Sequence, residues 1–130
     1  MDTGDRAGQL ILIVEDDELF RKSLTTFVSA LGYQTAHAAS AEEALRSQDI
    51  LRADLCIVDY HLPGMSGVDF LARLRERDLR VPVLLMSGYL NGAIRADAIR
   101  EGVLEVLHKP MDMALLVQRL DRALGSPAAA

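Results

Sequence analysis

The chain holds one cysteine in 130 residues, no run of basic residues, and no apolar stretch of the length a membrane helix needs. Each shortage removes a class of protein. Cys56 has no second cysteine with which to close an internal disulfide, which argues for a reducing compartment. Flanked by Leu55 and Ile57, its thiol reads as a small buried hydrophobe. Nineteen acidic residues against fourteen Lys and Arg give a net charge of −5, with no basic, aromatic-rich stripe, so direct nucleic-acid binding by this domain is not expected. A spanning helix needs about 18 or more consecutive apolar residues, and no membrane contact is expected without one. Residues Met1 to Gly8 are polar with no apolar centre, unlike a secretory leader. The expected location is the cytoplasm.

What the chain does have is an alternation of strand and helix patterns. Half of the residues are apolar and a quarter charged, the balance of one globular domain. A strand is expected over about Gln9 to Val14. A helix then begins near Asp17-Glu18 with an apolar stripe of Phe20, Leu24, Phe27, Val28 and Leu31, and stops at Gly32. Tyr33 to Ala38 alternates as an edge strand does. Ser40-Ala41-Glu42-Glu43 fits the S-x-x-E capping box and opens a short second helix. Asp54 to Val58 is the third strand, and a Pro- and Gly-containing loop follows, from Tyr60 to Gly67. Ser66 caps a third helix carrying Val68, Phe70, Leu71 and Leu74. Pro82 precedes the fourth strand. Asn91-Gly92 opens a fourth helix with a thin stripe of Ile94, Ala98 and Ile99, and a fifth strand runs to Leu107. The last helix, about Asp112 to Leu124, should bury Leu116, Val117, Leu120 and Leu124.

Five successive βα units predict one doubly wound parallel sheet with five helices on its two faces. A flavodoxin-like order, 2-1-3-4-5, would place the first and third strands at the switch point. The expected organisation is a frayed tail over 1–8, the domain over 9–125, and a tail or linker start over 126–130.

In such a sheet the chemistry collects at the carboxyl ends of the strands. There the chain places Glu15-Asp16-Asp17 after the first strand, Asp59 after the third, Ser87 after the fourth and Lys109 after the fifth. Glu15, Asp16 and Asp59 together cannot all stay ionised without a compensating cation. Lys109 supplies one positive charge. An all-oxygen donor set with no Cys or His cluster points to Mg²⁺ or Mn²⁺ for the remainder. A Mg²⁺ ion retains open coordination positions, which implies a phosphorylated reaction partner.

Four motifs now align with a known family. Val14-Glu15-Asp16-Asp17, the run from Val58-Asp59 to Ser66-Gly67, Met86-Ser87-Gly88 and His108-Lys109-Pro110 resemble the receiver domain of bacterial two-component response regulators (CheY-like), over about Leu10 to Leu124. The resemblance implies that Asp59 is the phosphoacceptor, attacking a phosphohistidine of a histidine kinase or histidine phosphotransfer protein. It implies that Glu15 and Asp16 hold Mg²⁺, one of them through water, with Asp59 and the backbone carbonyl of His61 completing the protein ligands. Lys109 would neutralise one phosphoryl oxygen and Ser87 would hydrogen-bond another. A cis bond is implied at Lys109-Pro110. The output would pass through the face of the fourth helix, fifth strand and fifth helix to a downstream protein, an attached output domain or a second copy of the chain.

The chain also departs from the family. Where many receivers carry a switch aromatic three residues before the lysine, Val106 stands. Gly88 replaces the usual alanine, and Tyr89 follows it on a glycine hinge, suited to take over part of the signalling. His61 and Tyr89, each two residues beyond a site residue, would flank the hydrolytic water and modulate acyl-phosphate lifetime. The Met86-Ser87-Gly88-Tyr89 variant is similar to receivers attached to hybrid kinases. Two other functions stay open. One is a degenerate receiver that only binds protein; the other is a phosphatase of the haloacid-dehalogenase type, which wants an aspartate where His61 stands. Around the site, Asp17 reads as a helix cap, Asp54 as a solvated strand start, and His37 and His108 as surface or packing residues.

Overall fold

The computed structural model describes residues 6, 8–89 and 91–125. Five strands form one parallel sheet: β1 (Leu10–Val14), β2 (Gln34–Ala38), β3 (Leu55–Asp59), β4 (Val83–Ser87) and β5 (Glu105–His108), in the order β2-β1-β3-β4-β5. The unbroken apolar runs of β1 and β3, and that of β4 up to Ser87, are buried along their whole length because helices cover both faces. Alternate residues point to opposite layers. Ile11, Ile13, Ile57, Leu84 and Met86 pack against Leu24 and Val28 of α1 (Glu18–Ala30) and against Leu116 and Leu120 of the C-terminal helix. Leu12, Val14, Val58 and Leu85 face the other layer, with Phe70, Leu71 and Leu74 of the third expected helix at its centre.

Six helices are described where five were expected. The segment after Ser40 is two short pieces, α2 (Ala41–Arg46) and α3 (Asp49–Arg52). The break has a local cause. Ser47 Oγ accepts the Asp49 N–H at 2.9 Å, offering the backbone a partner in place of the helical ladder. The remaining helices are α4 (Gly67–Glu76), α5 (Gly92–Glu101) and α6 (Met113–Leu124).

Caps set the helix starts. Ser66 and Asp69 exchange side-chain and backbone bonds in a complete capping box on α4. The expected box at Ser40 is altered. Ser40 Oγ takes the Glu43 N–H at 3.0 Å, but the Glu43 carboxylate reaches past it to the Ala39 N–H at 2.9 Å. The thin stripe expected on α5 is thinner still: Ala98 is buried, Ile94 half-buried, and Ile99 points outward with 61% exposure. On α6, Leu116 and Leu120 are buried, while Val117 and Leu124 are half-covered.

The expected tails over 1–8 and 126–130 fall mostly outside the described residues. Arg6 is described, and it is held. Its guanidinium donates to the Leu31 carbonyl at 2.7 Å and pairs with Asp121 at 2.9 Å. Asp54 is exposed, as a solvated residue would be, but it also accepts the Leu10 N–H at 2.8 Å and so ties the start of β1 to the start of β3. Cys56 is fully buried in β3, and burial pushes its thiol up to about 12, so it stays a protonated, apolar filler.

One glycine positions the strand end that matters most. A Cβ on Gly67 would lie 2.6 Å from the Asp59 carbonyl oxygen and 2.7 Å from Leu85 Cδ1. The Gly67 N–H also donates to the Tyr60 carbonyl at 2.9 Å, closing the loop after β3 back on itself. Gly67→Ala is therefore expected to destabilise the fold by roughly 2 kcal/mol. Gly88→Ala, where a Cβ meets nothing within 4 Å, is expected to stay within about 0.5 kcal/mol of wild type. Urea unfolding of the two variants checks both, and a Gly67→Ala protein as stable as Gly88→Ala would refute the close approach.

Candidate functional site

Four strand ends bring the chemistry together because the sheet is in register. Val14 pairs with Val58, Asp59 with Met86, and Ser87 with His108. The ladder continues one bond past the strands. Glu15 N–H donates to Ala38 O at 3.1 Å, Tyr60 N–H to Met86 O at 2.7 Å, and Lys109 N–H to Ser87 O at 2.8 Å. The backbones of Glu15, Tyr60 and Lys109 are thus fixed to neighbouring strands, and the Lys109-Pro110 peptide just beyond is cis.

The side chains converge. Lys109 Nζ lies 2.8 Å from Glu15 Oε1 and 3.2 Å from Asp59 Oδ2. Glu15 and Asp59 are buried, at 1% and 5% exposure, and Asp16 is open to solvent. One carboxylate oxygen from each of Glu15, Asp16 and Asp59 falls in a group no wider than 4.8 Å. That is a donor set for a hard divalent cation: all oxygen, anionic, two members buried and one facing the water such an ion keeps.

Each carboxylate is also oriented by backbone. Glu15 Oε2 accepts the Asp17 N–H at 2.9 Å, and Asp59 Oδ1 accepts the His61 N–H at 3.1 Å. Asp17 itself caps α1, taking the Leu19 N–H. Burial holds the Glu15 carboxyl above the ordinary carboxylate range, and the Asp59 charge acts in the same direction. The Lys109 and Asp17 hydrogen bonds oppose them without cancelling them. For Lys109 burial favours the neutral amine, yet the Glu15 hydrogen bond and the Asp59 charge outweigh it and raise the ammonium above its usual value.

The remaining expected residues are placed around this centre. Ser87 is fully buried at the end of β4. Its hydroxyl donates to the Tyr89 carbonyl at 2.6 Å and accepts the Tyr89 N–H at 3.2 Å, so it is engaged with its own loop. Gly88 is exposed and Tyr89 is 66% exposed. Val106 is buried in the layer of Val58 and Leu85. The His61 side chain is exposed and stands edge-on to the Tyr60 ring, with centroids 4.7 Å apart. His37 and His108 are both exposed.

Two neighbours carry no sequence signal of their own. Arg21 Nη1 donates to the Glu15 carbonyl at 2.9 Å, and the Phe20 ring lies under Lys109 Nζ with its centroid 4.7 Å away. Phe20 fits the core stripe of α1, and nothing in a helical period distinguishes a ring that also meets a cation.

Comparison with known proteins gives a consistent outcome. The model of the response regulator receiver domain matches residues 11–121. The chain is 41% identical over 104 residues to the Regulator of RpoS of Escherichia coli K12, covering 80% of this chain and 31% of that protein. It thus spans about a third of that relative. Among solved structures it is similar to the signal receiver domain of an HD domain-containing protein from Pseudomonas fluorescens Pf-5. That match has a TM-score of 0.83 and 31% identity, over 94% of this chain and 98% of the other. The chemotaxis protein CheY4 of Vibrio cholerae superposes with a TM-score of 0.82 at 25% identity, over 89% and 98%.

Burial of Glu15 gives a pH dependence. A carboxyl raised in the fold contributes stability fully below its unfolded value near 4.5, and loses that contribution as pH rises through the folded value. The stability of metal-free wild type relative to Glu15→Gln should therefore decline as pH rises above 4.5, read by urea unfolding at several pH values. A difference that stays flat or grows across that window would contradict a buried carboxyl short of positive charge.

Proposed function

The chain belongs to the response regulator receiver domain family, and from that premise we propose that it accepts a phosphoryl group on Asp59. The donor is a phosphohistidine of a histidine kinase or a histidine phosphotransfer protein. The observation that carries this reading is the placement of one ammonium, Lys109, within hydrogen-bond reach of both buried carboxylates, Glu15 and Asp59. That arrangement leaves the pocket short of positive charge, which suits a divalent cation able in turn to bind a phosphoryl group.

Transfer needs an ionised carboxylate as nucleophile and no general base. Asp59 Oδ1 is pinned by the His61 N–H, which fixes the plane of the carboxyl group. An Asp59 oxygen forms the new bond to phosphorus as the bond from phosphorus to the imidazole nitrogen breaks, its electron pair leaving with the nitrogen. The product is an acyl phosphate. Glu15, Asp16, Asp59 and the His61 carbonyl would hold Mg²⁺ or Mn²⁺, which supplies neutralisation of the charge on the phosphoryl oxygens. Lys109 exchanges its contact with Asp59 for one phosphoryl oxygen, and positioning with charge neutralisation does the catalysis.

Output follows from Ser87. To donate to a phosphoryl oxygen its hydroxyl must release the Tyr89 carbonyl, and the Gly88-Tyr89 segment moves with it. Val106 is packed in the core and has no ring to swing, so Tyr89, exposed on its glycine, carries the change to the face formed by α5, β5 and α6. The loose hold of α5, anchored by the single buried Ala98, keeps that face responsive. A downstream protein, an attached output domain or a second copy of the chain reads it. The same reading locates the domain in the cytoplasm.

Incubation with Mg²⁺ and acetyl phosphate is expected to add one phosphoryl group by intact mass, absent in Asp59→Asn and absent when EDTA removes the metal. No gain in wild type would leave a protein-binding module in place of a phosphoryl acceptor. His61→Ala and Tyr89→Ala are expected to change the half-life of the acyl phosphate by about threefold or more, through access of water to it. Half-lives equal to wild type would remove both residues from that role.

A further inference from the structure

The contact between Phe20 and Lys109 does more than fill space. Phe20 is the third residue of α1, half-buried and packed on the sheet layer that holds Ile13, Ile57 and Leu107. Its ring is therefore held from below. Above it sits Lys109 Nζ, 4.7 Å from the ring centroid, within the roughly 6 Å over which an aromatic face attracts a cation. The Lys109 side chain is only 24% exposed, and such attraction strengthens as water is excluded. Glu15 and Asp59 occupy two of the three ammonium donors. The ring is the third contact, and it differs in kind. It offers neither a negative charge nor a lone pair that a phosphoryl oxygen would have to displace.

We infer that Phe20 is a positioning residue for Lys109: its ring face keeps the ammonium in the acidic pocket while leaving it free to shift from a carboxylate to an incoming phosphoryl oxygen. This rests on the function proposed above. A four-carbon side chain released from Asp59 would otherwise sample solvent, and the order lost would have to be regained in each transfer. A carboxylate in place of the ring would hold the ammonium too firmly; an aliphatic side chain would not hold it. The attraction of a ring face is broad, so an ammonium can move sideways by about an ångström and remain attracted.

The protein supplies its own control. Phe27 lies on the same stripe of α1 and packs on the same layer, yet no cation stands over its ring among the described residues. Fluorine substitution withdraws electron density from a ring face while changing its shape little. Mono-, di- and trifluorophenylalanine incorporated singly at position 20 should slow acyl-phosphate formation from acetyl phosphate in steps. Phe20→Leu should be about threefold to tenfold slower than wild type. The same series at position 27 should leave the rate unchanged, and thermal unfolding should show every variant of both series fully folded at the assay temperature. A flat series at position 20, or equal slowing at both positions, would overturn the inference.

A second reading keeps this separate from the phosphoryl-transfer proposal. In metal-free protein without donor, NMR order parameters of the Lys109 ammonium should fall along the fluorinated Phe20 series and not along the Phe27 series. If wild type takes up no phosphoryl group, the proposed function fails and this measurement alone decides the role of Phe20. Order parameters that ignore the fluorines would dismiss it.

Discussion

One ammonium faces three carboxylates at the carboxyl edge of the sheet, and the rest of the molecule is arranged around that imbalance. Lys109 bridges Glu15 and Asp59, and with Asp16 alongside the fully ionised group would lack two positive charges. A protein can meet such a deficit by keeping a carboxyl protonated or by binding a cation. Burial raises the Glu15 carboxyl, a shift in the direction of the first solution. On the function proposed above, a bound Mg²⁺ or Mn²⁺ would supply the missing positive charge beside the place for a phosphoryl group. Charge deficit and metal affinity are thus one property seen from two sides.

Holding like charges this close takes a rigid frame. The parallel sheet provides it through backbone bonds that run past the strand ends at Glu15, Tyr60 and Lys109, and through the close approach of Gly67 to the Asp59 carbonyl. Two packed layers hold the strands against sliding, so the backbones that carry the carboxylates stay together. Ser87 is bonded to the backbone of Tyr89, and on the function proposed above a change of its hydroxyl partner would act on α5, whose buried face is Ala98.

Much of this was readable in the residues. The fold class followed from apolar runs too short for helices, each ending in a polar residue, and the parallel order put Glu15, Asp59, Ser87 and Lys109 on one edge. Family likeness supplied their expected roles; periodicity alone gave only their placement. Boundaries were harder, because Ser47 splits a helix through its own side chain, which no hydrophobic period reports. Phe20, Arg21 and Asp54 were opaque for a similar reason. A ring on a core stripe, an arginine beside it and a polar strand-start residue acquire their partners only when distant elements meet. The outward turn of Ile99 likewise follows from how α5 seats on the sheet through Ala98.

The charge-balance account is tested most directly by titrating metal-free protein with Mg²⁺ at constant ionic strength and following heat and thermal stability together. It predicts one ion per chain and a rise in stability. The affinity should fall when Asp16 or Asp59 is changed to Asn, and the stability gain should fall with it. Saturation by Mg²⁺ that is indifferent to both substitutions, or no saturable binding at all, would contradict it.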